Sequence, residues 1–188
     1  TLSFQYDLSA ELREISSVKD VLRMVRDASI FRWHRTLGRR ALMKDPIALL
    51  SADWIYENFS PKVIVLIRHP AAFTSSLKRL GWDFPFNHLS SQSALLKNKL
   101  SDFRDEIFNF QKEEKDIISQ ASLLWKILYS TVLEYKNKYS KDWMFVRHED
   151  ISLKTKKCYK KIYNFLDLSF TSKIQKKILN YSSSSNTN

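Results

Sequence analysis

Residues 62–81 read KVIVLIRHPAAFTSSLKRLG, and this stretch carries the clearest indication of the fold class. Its opening run, 62–67, is rich in β-branched residues without polar alternation, which is typical of a strand covered on both faces of a parallel sheet. Pro70 stands where the first turn of a helix tolerates proline, and apolar residues recur up to Leu80, just before Gly81. The stretch therefore predicts a buried strand that leads directly into a helix.

Two other short runs predict strands, 142–146 (DWMFV) and 40–43 (RALM). The spacing of apolar residues predicts helices over 51–59, 70–80, 113–139, 153–166 and 174–181. Because strands and helices alternate, we expect an α/β fold, a parallel sheet flanked by helices, in a single domain over 1–181 with a polar tail at 182–188. The long aromatic segment 81–101 breaks the alternation and predicts a loop or lid over a site.

The composition bounds the class of protein. The chain has 188 residues, 44% of them hydrophobic, which is enough for a packed core and excludes wholesale disorder. Its one cysteine, Cys158, excludes an internal disulfide and a cysteine-based zinc site, and it favours a reducing, cytoplasmic location. Two glycines are too few for a glycine-rich phosphate loop, and no apolar run reaches the ~18 residues of a membrane span. Because the chain opens at Thr1 without a basic-then-apolar leader, we expect a piece of a longer protein, cut before residue 1.

A short charged cluster follows each of the three predicted strands: KDP at 44–46, RHP at 68–70 and RHED at 147–150. Ligands of open α/β sheets bind beyond the carboxyl ends of the strands, so these clusters predict a positive pocket for a small polyanion. The planar guanidinium of Arg68 matches a phosphate in two hydrogen bonds. The alternative is that Arg68 pairs with a carboxylate such as Asp45 or Glu149, and spacing alone does not decide between the two.

The stretch around Arg68 also resembles a known binding motif. In KVIVLIRHPAAFTSSLKRL a strand ends in Arg68, and Ser76 follows eight positions later. This resembles the 3′-phosphate-binding motif of the sulfotransferases that use 3′-phosphoadenosine 5′-phosphosulfate (PAPS) as donor. The resemblance implies that Arg68 and Ser76 bind the 3′-phosphate of PAPS. It selects Ser76 over Ser75, which lies about 100° away around the helix.

Other segments between residues 40 and 168 carry the same resemblance, in the order of the family. MKDPIALL resembles the segment whose lysine assists sulfuryl transfer, which implies that Lys44 is catalytic. MFVRHEDIS resembles a strand ending in an aromatic-Glu-Asp-Leu pattern, which implies that His148 stands where an aromatic residue contacts adenine, and FLDL resembles the helix-ending motif after it. The N-terminal strand and P-loop of the family, which hold the 5′-phosphosulfate, are missing from the segment. Pro46 stands where cytosolic members carry a catalytic histidine, so the general base is not identified.

The resemblance implies a P-loop-like architecture and metal-free transfer of the sulfuryl group from PAPS to a hydroxyl or amine of a carbohydrate, lipid, peptide or small metabolite. We expect this segment alone to be inactive without the 5′-phosphosulfate loop. Two other classes stay open: a P-loop-type kinase or other phosphonucleotide-binding enzyme, although no Walker lysine motif is present, and a basic nucleic-acid-binding module. The net charge is +11, and residues 150–188 carry eight lysines and no arginine. We interpret these lysines as a solvated face rather than a nucleic-acid surface.

Overall fold

A computed structural model describes residues 13, 16–45, 47–113 and 115–183. The chain divides into two compact units, 1–46 and 47–188. Of the predicted polar tail 182–188, the first two residues belong to the last helix, and 184–188 lie outside the described residues. None of the described helices is long and apolar enough to cross a membrane.

The first unit is built on helix α1, Val18–Thr36. Ser17 caps the start of this helix: its hydroxyl oxygen accepts from the Asp20 N–H, and its hydroxyl group donates to the Asp20 carboxylate at 2.7 Å. This reciprocal pair satisfies a backbone donor that the first helical turn would otherwise leave open.

The predicted strand at 40–43 is wrong. Residues 39–45 have no regular secondary structure, and in the described part of the chain no strand pairs with them. The side chain of Leu42 is 89% exposed and that of Met43 is 61% exposed. A short apolar run becomes a strand only where a neighbouring strand and a covering layer are available, and neither is a local property of the run.

The second unit is mostly helical, with a small sheet. It begins with a 3₁₀ turn, Ile47–Ser51, and a second 3₁₀ turn, Ser101–Phe103, precedes α6. The remaining elements, in chain order, are α2 Ala52–Phe59, β1 Ile64–Ile67, α3 Pro70–Leu80, α4 Asn87–Ser90, α5 Ser93–Lys97, α6 Arg104–Lys112, α7 Ile117–Tyr139, β2 Met144–Arg147, α8 His148–Leu153, α9 Thr155–Phe165 and α10 Ser172–Ser183.

The sheet joins β1 and β2 in parallel, with Ile64 opposite Met144 and Ile67 opposite Arg147. Among the described residues it contains these two strands alone. The two strands were predicted from their apolar runs, and the α/β mix with a parallel sheet is confirmed. Because Ile67 and Arg147 are the last residues of their strands, the charged clusters that follow both strands begin side by side at one edge of the sheet.

Helix α3 confirms the opening prediction at both of its ends. Pro70 is its first residue, and the Nδ1 atom of His69 accepts from the Ala71 N–H at 3.3 Å. Gly81 ends the helix with φ 59°, a left-handed conformation that glycine adopts without a Cβ clash. The helix packs on α7, where Leu77 and the half-buried Phe73 join the buried cluster of Ala121 and Leu124.

The prediction of a lid at 81–101 is wrong, because this segment supplies core. Phe86, Leu89 and Leu96 are nearly fully buried, and Leu100 is completely buried. They pack in one cluster with Ile127 and other residues of α6 and α7. The short helices α4 and α5 turn these apolar side chains inward, so the segment stabilises the unit by removing apolar surface from water.

Candidate functional site

The turn between β1 and α3 is held by side chains from other elements. The Arg68 N–H donates to the Tyr129 hydroxyl oxygen at 2.5 Å, and the Arg68 carbonyl accepts from the Trp125 Nε1–H at 3.0 Å. The next N–H, of His69, donates to Glu149 Oε1 at 2.8 Å. Trp125 and Tyr129 come from α7 and Glu149 from α8, so two helices fix the main chain at the end of β1.

The Arg68 side chain is half-buried, and its charge has no partner in the described part of the second unit. Its Nε atom is buried without a hydrogen-bond partner there, and no carboxylate of that part forms an ion pair with its guanidinium. The alternative in which Arg68 pairs with Glu149 is therefore not observed. An unpaired buried donor is costly for the folded protein, and an anionic ligand is one group that would satisfy it. Trp143 Nε1, in the aromatic core, is also buried without a partner among the described residues, so this state alone does not identify a binding site.

Glu149 joins the ends of the two strands. One of its oxygens accepts from the His69 N–H, and the other lies 3.9 Å from Arg147 Nε. The hydrogen bond from His69 lowers the pKa of the Glu149 carboxyl below its usual range, and the charge of Arg147 acts in the same direction. The neighbouring His148 is exposed and begins α8 directly after β2.

Ser76 lies on α3, two turns into the helix. It neighbours the stripe of Phe73 and Leu77 that faces α7, and it is half-buried, whereas Ser75 is exposed. The Ser76 hydroxyl donates no hydrogen bond to another described residue. Since α3 begins at the Arg68–His69 turn, Ser76 belongs to the strand–turn–helix unit that carries Arg68.

Of the four predicted site residues, Arg68, Ser76 and His148 belong to the second unit. Arg68 and His148 directly follow paired strand ends, so the parallel sheet brings these two positions to the same edge. Lys44 belongs to the first unit, where it is exposed in the irregular stretch 39–45.

Sequence reasoning missed the side chains that hold the turn. Trp125 and Tyr129 lie four residues apart on α7, and their rings stack with centroids 4.4 Å apart. They lie within the helix predicted over 113–139, but periodicity does not distinguish a packing aromatic from one that offers an N–H or O–H to a buried turn. A Trp–Tyr pair at this spacing, on the helix that covers a strand end, is the signal that could have found them.

A second half-buried cation, Lys99, lies in the same unit but is fully paired. Its ammonium donates to Asp53 Oδ1 and to the Tyr135 hydroxyl oxygen, both at 2.5 Å, and to the Leu50 carbonyl at 3.0 Å. Burial alone would raise the pKa of Asp53, but the hydrogen bond and charge of Lys99 and the N–H of Trp54 lower it on balance. Burial, and then the charge of Asp53, raise the pKa of the Tyr135 hydroxyl, so Tyr135 stays neutral.

The turn after β1 and the helix that follows it carry groups that suit an anion. Among the described residues these are a guanidinium without an ion-pair partner, a serine hydroxyl without a hydrogen-bond acceptor and the positive end of α3. In the part of the chain that the structure describes, no group of three or more His, Cys, Asp or Glu side chains is arranged to hold a metal ion. Comparison of the chain with protein-family models, with curated proteins and with solved structures finds no match.

Proposed function

We propose that this protein is a sulfotransferase of the P-loop-like type and that its second unit binds the 3′-phosphate of PAPS. In this proposal Arg68 grips the phosphate, Ser76 donates a hydrogen bond to it, and His148 lies at the adenine. The acceptor is a hydroxyl or amine on a carbohydrate, lipid, peptide or small metabolite. The proposal rests on the sequence resemblance together with one structural observation.

That observation is the unpaired guanidinium of Arg68. Its Nε atom is buried without a partner among the described residues. The carboxylate of Glu149 is close by, but it accepts a hydrogen bond from the N–H of the neighbouring His69 instead. A phosphate accepts two parallel hydrogen bonds from a guanidinium and neutralises its charge. A 3′-phosphate would therefore supply the partner that the guanidinium lacks in the described part of the second unit.

In the same proposal Lys44 assists the transfer of the sulfuryl group, a role that rests on the sequence resemblance alone. Sulfuryl transfer is an in-line displacement, like phosphoryl transfer, and most of its catalysis comes from positioning and electrostatics. Negative charge grows on the bridging oxygen as the bond from sulfur to the leaving phosphate breaks. An ammonium at that oxygen stabilises the transition state more than the ground state, which is what accelerates the step.

The experiment is ligand binding by the 188-residue chain, measured by calorimetry with adenosine 3′,5′-bisphosphate and with adenosine 5′-monophosphate. We expect the bisphosphate to bind more tightly, and we call the ratio of the two affinities the 3′-phosphate preference. Arg68→Met keeps the apolar stem and removes the guanidinium, so it should abolish the preference. Arg79→Met, at an exposed arginine of α3, the helix that follows Arg68, is the matched control and should keep it.

Two other ligands test the alternative classes. ATP with magnesium should bind no better than the monophosphate. Of the classes considered, a kinase is the one that must recognise the triphosphate of ATP. A DNA duplex should bind weakly, with an affinity that falls steeply with salt, whereas bisphosphate binding should survive moderate salt. Equal affinities for bisphosphate and monophosphate, or a dominant response to DNA, would overturn the proposal.

A further inference from the structure

We infer that Trp125 and Tyr129 are positioning residues of the Arg68 anion site, a role that rests on the function proposed above. They act through the main chain of Arg68. The Tyr129 hydroxyl accepts the Arg68 N–H at 2.5 Å, and the Trp125 Nε1–H donates to the Arg68 carbonyl at 3.0 Å. Two side chains of α7 thus form hydrogen bonds with both main-chain polar groups of Arg68, its N–H and its carbonyl.

The place of Arg68 in the chain explains why these bonds are needed. The ladder of β1 with β2 ends at the pair Ile67–Arg147, so Arg68 is the first residue beyond it. Its N–H and carbonyl therefore have no strand partner among the described residues, and buried main-chain groups need one. Side chains of α7 supply both bonds at the residue whose own side chain must point at a ligand.

The two aromatic side chains also restrain each other. Their rings are nearly parallel, with an interplanar angle of 17° and centroids 4.4 Å apart, and both residues are half-buried. A stacked pair has few alternative rotamers, so the hydroxyl and the indole N–H stay in place. The direction of the Arg68 Cα–Cβ bond is thereby fixed before a ligand arrives, which lowers the entropy lost when it binds.

Helix α7 further links Arg68 to Ser76. The same helix that holds the Arg68 main chain packs, through Ala121 and Leu124, against Phe73 and Leu77 of α3. Helix α7 therefore contacts both segments that carry the proposed phosphate-binding groups, the turn with Arg68 and the helix with Ser76. A change in the α7 contacts to Arg68 should alter the geometry of the pair without removing either group.

The test is the 3′-phosphate preference of Tyr129→Phe, measured by calorimetry with adenosine 3′,5′-bisphosphate and adenosine 5′-monophosphate. We expect roughly a tenfold loss of preference, an intermediate effect between the wild-type chain and Arg68→Met. Tyr139→Phe is the matched control, because it removes a hydroxyl on the same helix that bonds to Glu57 at 2.9 Å instead. A general loss of stability would weaken both ligands alike and leave the preference unchanged.

Trp125→Phe provides a second variant, which removes the indole N–H and keeps an aromatic ring at the position. It should also lower the preference. If the wild-type chain shows the preference and both α7 variants keep it, these residues only support the fold and the inference is wrong. If the wild-type chain shows no preference, the proposed function itself fails, and this inference fails with it.

Discussion

Two half-buried cations of the second unit, Arg68 and Lys99, both lie against α7 and differ in how they are satisfied. Lys99 is enclosed by oxygens of Asp53, Tyr135 and Leu50, and its ammonium lies 4.8 Å from the centre of the Tyr135 ring. At Arg68 the α7 side chains bond to the main chain, and the guanidinium is left without a carboxylate in the described part of the unit.

On the function proposed above, the difference separates a structural charge from a binding charge. A cation that is paired within its own unit stabilises that unit and has nothing left to offer a ligand. A cation whose main chain is fixed and whose charge is unpaired destabilises the free protein slightly and favours an anion. The comparison therefore predicts opposite effects of removing each charge.

Removal of the Arg68 charge should have the largest effect, and on binding. Arg68→Met removes two hydrogen bonds from a charged group, each worth about 1.5–3 kcal/mol, so it should lower the affinity for adenosine 3′,5′-bisphosphate by at least about 100-fold. The free energy of unfolding, measured with urea, should stay the same or rise, because no pair is broken. A clear fall in stability would mean that the guanidinium has a structural partner and would break the comparison.

Removal of the Lys99 charge should act on stability alone. Lys99→Met leaves the Asp53 carboxylate and the Tyr135 hydroxyl without their shared donor, and the two charged side chains are only 20% and 26% exposed. The free energy of unfolding should fall by about 1–3 kcal/mol, with bisphosphate affinity unchanged. The control Lys126→Met breaks an exposed pair with Glu106 and should cost less than about 0.5 kcal/mol. Equal costs for the two variants would contradict the structural role of Lys99.

The cluster of Lys99, Asp53 and Tyr135 should also make the free energy of unfolding depend on pH in the acid range. The pKa of Asp53 is lowered from 3.8 in the folded chain, so its contribution is fully present above that pH and is lost as the pH falls through the lower, folded value. Urea unfolding between pH 6 and pH 3 should show stability falling at the acid end. The Asp53→Asn variant should be less stable than the wild-type chain near neutral pH and should lose less free energy of unfolding on acidification. If the stability of both proteins falls in parallel, Asp53 does not stabilise the fold through this cluster.

The smallest effect is expected at Glu149, which lies at the turn itself. In Glu149→Gln the amide oxygen still accepts the His69 N–H, so the turn should persist, while a negative charge beside the proposed anion site is removed. Bisphosphate affinity should rise about two- to threefold at low salt and by less at high salt, since exposed charges are screened. A fall in affinity would show that Glu149 orients the site through its charge.

The elements closest to the site were predicted well because their signals are local. Pro70 and Gly81 mark the two ends of α3 by their own backbone preferences, and the apolar run before Arg68 marks β1. The helix predicted over 113–139 begins at Ile117 instead, because Asp116 caps it with bonds to the N–H groups of Ile118 and Ser119. Errors at 40–43 and 81–101 arose where burial, which depends on distant residues, decides the structure.

The candidate site was predicted in part for the same reason. Arg68, Ser76 and His148 follow recognisable segments of the sequence, and the parallel pairing of β1 with β2 brings the first and last of them to one edge. Trp125 and Tyr129 were not predicted, since they contact Arg68 across 57 and 61 residues of chain. Their role depends on how α7 crosses the end of β1, which no local pattern encodes.

The strand, the turn and the helix around Arg68 follow from local residue types, because proline, glycine and β-branched side chains act on their own backbone dihedrals. Which of the two cations meets a carboxylate depends instead on the packing of elements that are distant along the chain. Lys99 meets Asp53 and Tyr135 across 46 and 36 residues of chain, while Arg68 meets no carboxylate in the described part of its unit. Charge pairing depends on distances in space, and folding sets these only after distant elements have packed together.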